Sequence, residues 1–126
     1  MKKNLKIILL FISLITISSG ILQFITPGFV LQIVGAEITP ISKHLFGIIG
    51  MFMAFFGGMM IHALYGVNGN EAAILWASFQ KIGAAAAIGL GIFYGIFNWL
   101  SASVAVFDLL SGLIFLWYYK LESKPL

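Results

Sequence analysis

The chain has 126 residues, of which 61% are hydrophobic and only 9% charged, with a mean hydropathy of +1.08. A soluble domain averages about 25% charged residues and buries only about 60–70% of its unfolded surface at this size, so a water-soluble globule is excluded. Seven lysines, no arginine and four acids give a net charge of +3; the lysines are scattered rather than grouped into a stripe, which argues against a nucleic-acid partner.

What remains is one compact integral membrane domain, all-α, with the lipid bilayer as its main partner. Three stretches lack Asp, Glu, Lys and Arg altogether: Ile7–Ala36 (30 residues), His44–Asn70 (27) and Ile82–Phe107 (26). A helix needs about 20 apolar residues to cross the hydrocarbon layer. The expectation is four transmembrane helices in an antiparallel bundle, at about 5–25, 43–65, 73–97 and 100–119.

The first span has a rival interpretation. Lys2, Lys3 and Lys6 precede an apolar run, and Ser18-Ser19-Gly20 follows it, as in a secretory signal peptide. Hydrophobicity nevertheless continues through Ile21 and Leu22 to Val34, which favours a retained helix. In the next segment, Thr26-Pro27 and Thr39-Pro40 each have the form of an N-cap followed by proline at the first helical position. Pro27–Val34 therefore reads as a short interfacial helix stopped by Gly35, and Pro40 as the start of the second span. Between spans two and three, Gly66–Glu71 reads as a tight turn with Asn70 as cap. Phe97-Asn98-Trp99 joins spans three and four so briefly that they must be antiparallel neighbours.

Five of the seven lysines lie near the termini, and four spans put both ends on one side. The positive-inside rule then places both termini in the cytoplasm of a multi-pass protein of the plasma or inner membrane. Trp99 at one end, and Trp117, Tyr118 and Tyr119 at the other, are expected as interfacial anchors.

Helices in lipid associate through close approach at small residues. Span two carries Gly50, Ala54 and Gly58 at four-residue spacing, and span three carries Gly83, Ala87, Gly91 and Gly95. Span one presents Ser13, Thr16, Gly20 and Gln23; span four presents Ala105, Asp108 and Gly112. These stripes fit internal packing of one bundle, and would also serve a homo-oligomer.

Few residues carry chemistry. Asp108 lies inside span four, where an ionised carboxylate costs at least about 2.5–3.5 kcal/mol. It is either a packing acid hydrogen-bonded to Thr16, Ser13 or Tyr94, or a paired or proton-carrying group. Lys81, beside Gln80 in span three, either snorkels to the surface or reaches inward to Asp108. Counting residues from the Asn98 turn separates the two by about 12 Å in depth, and counting from the opposite ends by only about 3 Å. The pairing therefore stays open. His62 falls on the packing stripe near the end of span two, and His44 lies near the other end. They are too far apart to share a metal, and no nucleophile motif occurs, so no metal site is expected. The absence of cysteine removes disulfides and thiolate chemistry.

Gly20, Phe24, Pro27 and Gly35 around the end of span one, the glycine-spaced Gly47 and Gly50, and the Asp-Leu-Leu-Ser-Gly stretch Asp108–Gly112 resemble the DoxX-like superfamily of small four-helix bacterial membrane proteins. In that superfamily a basic residue, commonly arginine, leads the glycine-spaced span; here Lys43 and His44 stand there. The resemblance implies the four-span fold and a membrane location, and links some relatives to quinone-dependent respiratory enzymes. Three functions follow as expectations: a non-enzymatic accessory or stabilising component of a larger membrane complex, with no cofactor; a quinone-associated subunit using His62 or Lys81 as hydrogen-bond donors; or a small transporter or proton path through Asp108 and Lys81.

Overall fold

A computed structural model describes residues 2–66 and 71–122. These residues form five helices: α1 (Lys2–Ile25), α2 (Pro27–Ile33), α3 (Pro40–Tyr65), α4 (Glu71–Phe93) and α5 (Ser101–Glu122), with no strand among them. α1, α3, α4 and α5, at 22 to 26 residues, are each long and apolar enough to cross a membrane. At 1.5 Å per residue they measure about 33–39 Å.

Local chemistry explains most of the boundaries. At the start of α3, Thr39 and Ser42 form a reciprocal capping box: the Ser42 amide donates to Thr39 Oγ1 (3.0 Å), and the Thr39 amide donates to Ser42 Oγ (2.8 Å). The helix therefore begins at Pro40 rather than three residues later. Thr26 behaves differently from its twin. Its hydroxyl donates backward to the Leu22 carbonyl at 2.8 Å, so α2 starts without a side-chain cap. α2 ends at Ile33, one residue before the expected Val34, and Gly35 follows with φ +73°, where the Ala36 amide closes on the Leu31 carbonyl.

The α4–α5 connection departs from expectation. α4 stops at Phe93 instead of running to 97, because Gly95 takes φ +75° and the Ile96 amide returns to the Gly91 carbonyl at 2.8 Å. Seven residues, 94–100, then link the two helices, and Phe97 folds back onto Gly91, where a Cβ would collide with its ring. Gly91 is thus a seat for Phe97, and Gly95 is a turn residue; neither packs one helix on another. The turn expected around Asn70 lies outside the described residues.

Packing is organised in two close pairs. α1 lies against α3: Gly20 meets Gly50 backbone to backbone, Gly57 meets Ile17 and the Ser13 carbonyl, and Gly47 faces the Phe24 carbonyl. As residue numbers rise along α1 they fall along α3. α4 lies against α5, with Gly112 against Ile82 and the Ser78 carbonyl. The Gln23 side-chain amide adds a 2.8 Å hydrogen bond to the Phe46 carbonyl between α1 and α3.

The stripe assignments need correction in register. Gly58, Gly83 and Ala87 are exposed, and a Cβ at Gly58 or Gly83 would meet nothing within 4 Å. Each residue turns the helix by about 100°, so steps of four drift by about 40°. From Gly50, Gly58 has rotated about 80° off the contact line, whereas Gly57 is only about 20° from it. The α3 contact face is therefore Gly47, Gly50 and Gly57, with Ala54 beside it against Gly20.

The two pairs share an apolar core at one end. Leu5, Leu9, Ile12, Met60, Ala63, Leu64, Ile74, Ala77, Phe115 and Tyr118 make a single apolar cluster, all from the halves of the helices nearest the termini. At that end Lys2 pairs with Glu122, and Lys6 lies over the Tyr65 ring. At the other end bulky contacts between the pairs give way to a pocket.

Candidate functional site

Between the apolar cluster and the pocket lies a layer of buried polar side chains. Ser13 and Thr16 come from α1, Ser78 and Lys81 from α4, and Asp108 and Ser111 from α5. Thr16 and Ser78 each donate to the carbonyl four residues earlier, Ile12 and Ile74, which satisfies their hydroxyl protons within the helix. Thr16 Oγ1 is then free to accept, and Lys81 Nζ donates to it at 2.6 Å.

Lys81 Nζ also donates to Asp108 Oδ1 at 3.2 Å, forming an ion pair whose residues are 5% and 8% exposed. Phe107 lies beside the ammonium, its ring centroid 5.2 Å away. Three helices thus meet on one cation, and Lys81 reaches inward rather than to the surface. The longer α4–α5 connection is what allows this. Measured from the observed helix ends, Lys81 and Asp108 differ in depth by about 6–8 Å from either side, a gap that the flexible lysine stem covers.

A pocket of about 270 Å³ opens on this pair. Lys81, Asp108, Gln80, Gln23 and Ser101 supply its polar lining; Val30, Val34, Phe46, Ile49, Met53, Ala84, Ala87, Ile88, Phe97 and Val104 supply the apolar walls. It lies between the α1–α3 and α4–α5 pairs, and exposed Ile49, Ala87 and Val104 mark its rim. Its far end is closed by α2 and the 94–100 connection. Asn98 fastens these together: its backbone amide donates to the Val34 carbonyl (2.8 Å) and its side-chain amide to the Ile33 carbonyl (3.0 Å).

On the other side of Lys81 is a void of about 10 Å³, the size of one water site, lined in part by Ser13, Thr16, Gln80, Met60 and Phe115. Ser13 Oγ and Gln80 Oε1 are buried there without a hydrogen-bond partner among the described residues. Beyond it the apolar cluster is closed, with Leu9, Met60, Ile74 and Phe115 all buried.

Of the candidate residues, Lys81, Asp108 and Gln80 come together, and Thr16 and Gln23 join them. His62 does not: it is exposed on the outer face of α3, and so is His44. Tyr94 is also exposed, in the connection after α4, and takes no part in holding Asp108. Ser101, Phe97 and Val104 are pocket residues that the sequence left unmarked, because their place depends on where the α4–α5 connection bends. Among the described residues no group of three His, Cys, Asp or Glu is placed to hold a metal ion. No family model matches the chain, and neither a curated protein nor a solved structure matches it.

Proposed function

We propose that the protein is a multi-pass membrane protein, an antiparallel four-span bundle with both termini cytoplasmic, that acts as a non-enzymatic component binding a small apolar molecule in its lateral pocket. Four long apolar helices support the membrane assignment. Lys2, Lys3, Lys6 and Lys120 gather at the end that holds the termini, against Lys43 at the other, which supports the orientation. The contact order along α1–α3 and the short connection between α4 and α5 support the antiparallel bundle. The four-span architecture is also that of the DoxX-like proteins the sequence resembles, and membership of that group is part of the proposal.

The observation that carries the binding role is the pocket itself: about 270 Å³, apolar-walled, with one ion pair at its inner end. Ligand sites are typically concave and mostly apolar, with a few convergent polar groups. A quinone, an apolar ring with polar oxygens, is one member of the class such a pocket takes. Transport fits less well, because the closed apolar cluster of Leu9, Met60, Ile74 and Phe115 separates the ion pair from the terminal end.

Extraction of the protein with its own lipid into polymer-bounded nanodiscs, followed by mass spectrometry of the small molecules, tests this. The expected result is a near-stoichiometric apolar compound that disappears when Ala84→Phe fills the pocket. Recovery of bilayer lipid alone from both preparations refutes the binding role.

A further inference from the structure

The head group of the bound molecule can be defined from the bonding capacity left over at the ion pair. A lysine ammonium has three protons to donate. Lys81 spends two, on Thr16 Oγ1 and Asp108 Oδ1, and both Lys81 and Asp108 line the pocket. Asp108 Oδ2 accepts no hydrogen bond from any described residue. One donor and one acceptor are therefore left over on two paired residues that both line the apolar pocket.

We infer that the pocket takes a neutral amphiphile with a hydroxyl head, the hydroxyl oxygen accepting from Lys81 and its proton donated to Asp108. The inference rests on the binding role proposed above and specifies its ligand. Charge argues against an ionic head. Lys81 and Asp108 already neutralise each other, and Gln23, Gln80 and Ser101 carry no charge. A carboxylate drawn to Lys81 meets the Asp108 carboxylate at the same place, and an ammonium drawn to Asp108 meets Lys81. Either would bury a charge without a counter-ion of its own. A lone carbonyl satisfies Lys81 but leaves the carboxylate oxygen with no donor, and an unmet buried polar group weakens binding. A hydroxyl meets both needs with one atom. For the tail, an engineered apolar cavity of about 150 Å³ holds benzene. By proportion, about 270 Å³ takes roughly ten carbon atoms before a longer chain must leave through the rim.

The test uses three photoreactive probes sharing one ten-carbon, diazirine-bearing tail and ending in a hydroxyl, a carboxylate or an amine. Each is photolysed with the full chain in phosphatidylcholine nanodiscs. Labelling at the pocket residues Met53 and Ile88 is divided by labelling at the outward-facing Phe11 and Leu110, which corrects for partition into lipid. The alcohol should show a pocket-to-surface ratio at least about tenfold above the acid and the amine, and Ala84→Phe should abolish it. Asp108→Asn leaves Lys81 without its counter-ion, so the acid probe should then overtake the alcohol. Pocket labelling that is equal for the three heads, or stronger for a charged one, overturns the hydroxyl assignment while leaving the binding role standing. Pocket labelling no higher than surface labelling for every probe overturns both.

Discussion

Gly57→Ala should be clearly less stable than Gly58→Ala, although the two positions are adjacent in α3. A Cβ at Gly57 would stand 2.5 Å from Ile17 Cγ1 and 2.9 Å from the Ser13 carbonyl oxygen, where ordinary contact begins near 3.4 Å. The isoleucine can rotate away, but the carbonyl belongs to the backbone of α1, so the two helices must part by about half an ångström. Overpacking of this kind costs about 1–3 kcal/mol. The gain in helix propensity of alanine over glycine, about 1 kcal/mol, offsets part of it. At Gly58 a Cβ meets nothing within 4 Å, so only the propensity gain remains. Because that gain is common to both variants, they should differ by the overpacking cost alone, about 5- to 150-fold in the unfolding constant. Reversible unfolding in bicelles, followed by tryptophan fluorescence, measures the difference. A loss at Gly58→Ala equal to or larger than that at Gly57→Ala would refute this packing of α1 on α3.

The other expectations concern the ion pair and the α3 cap. Asp108→Leu leaves Lys81 charged and buried without its partner, and should cost about 3–5 kcal/mol. The double variant Lys81→Met/Asp108→Leu removes both charges, and should recover wild-type stability or exceed it by about 1–4 kcal/mol; a double variant less stable than the single one contradicts this. Thr39→Ala breaks the capping box and should cost about 1 kcal/mol. Faster amide hydrogen exchange confined to the first turn of α3 is the signature to look for, and unchanged exchange there counts against the cap.

Features set by local chemistry were legible in the sequence, and features set by register were not. The four long helices follow from runs without charge, the start of α3 from Thr39-Pro40, and the end of α2 from Gly35, because each is decided within a few residues. Thr26-Pro27 shows the limit of that logic. It has the same residue pair as Thr39-Pro40, but its hydroxyl had a nearer acceptor in the Leu22 carbonyl at the end of the preceding helix. The glycine stripe failed by one position, Gly58 for Gly57, because steps of four drift around a helix with 3.6 residues per turn. His62, one step of four beyond Gly58, leaves the packing stripe through the same drift and is exposed. Lys81 and Asp108 were visible as candidates, but whether they meet depended on the length of the α4–α5 connection. That length is set by the left-handed turn at Gly95 and by Phe97 docking on Gly91, a contact six residues apart that hydrophobic periodicity does not encode.

Stability alone does not account for the Lys81–Asp108 pair. A buried ion pair loses its hydration on both partners, and replacing it with apolar side chains is commonly neutral or favourable. The helix pairs on either side are already held by glycine contacts that involve no charge, and the terminal half of the bundle is closed by the cluster around Leu9, Met60 and Phe115. Removing both charges should therefore leave the fold in place. What it would remove is the one charged pair among the residues that line the pocket, together with the donor and acceptor capacity that the pair leaves unused. A double variant that folds as well as the natural chain but no longer retains a small molecule would separate the two roles. It would place the reason for the pair in what the pocket holds rather than in what holds the bundle together.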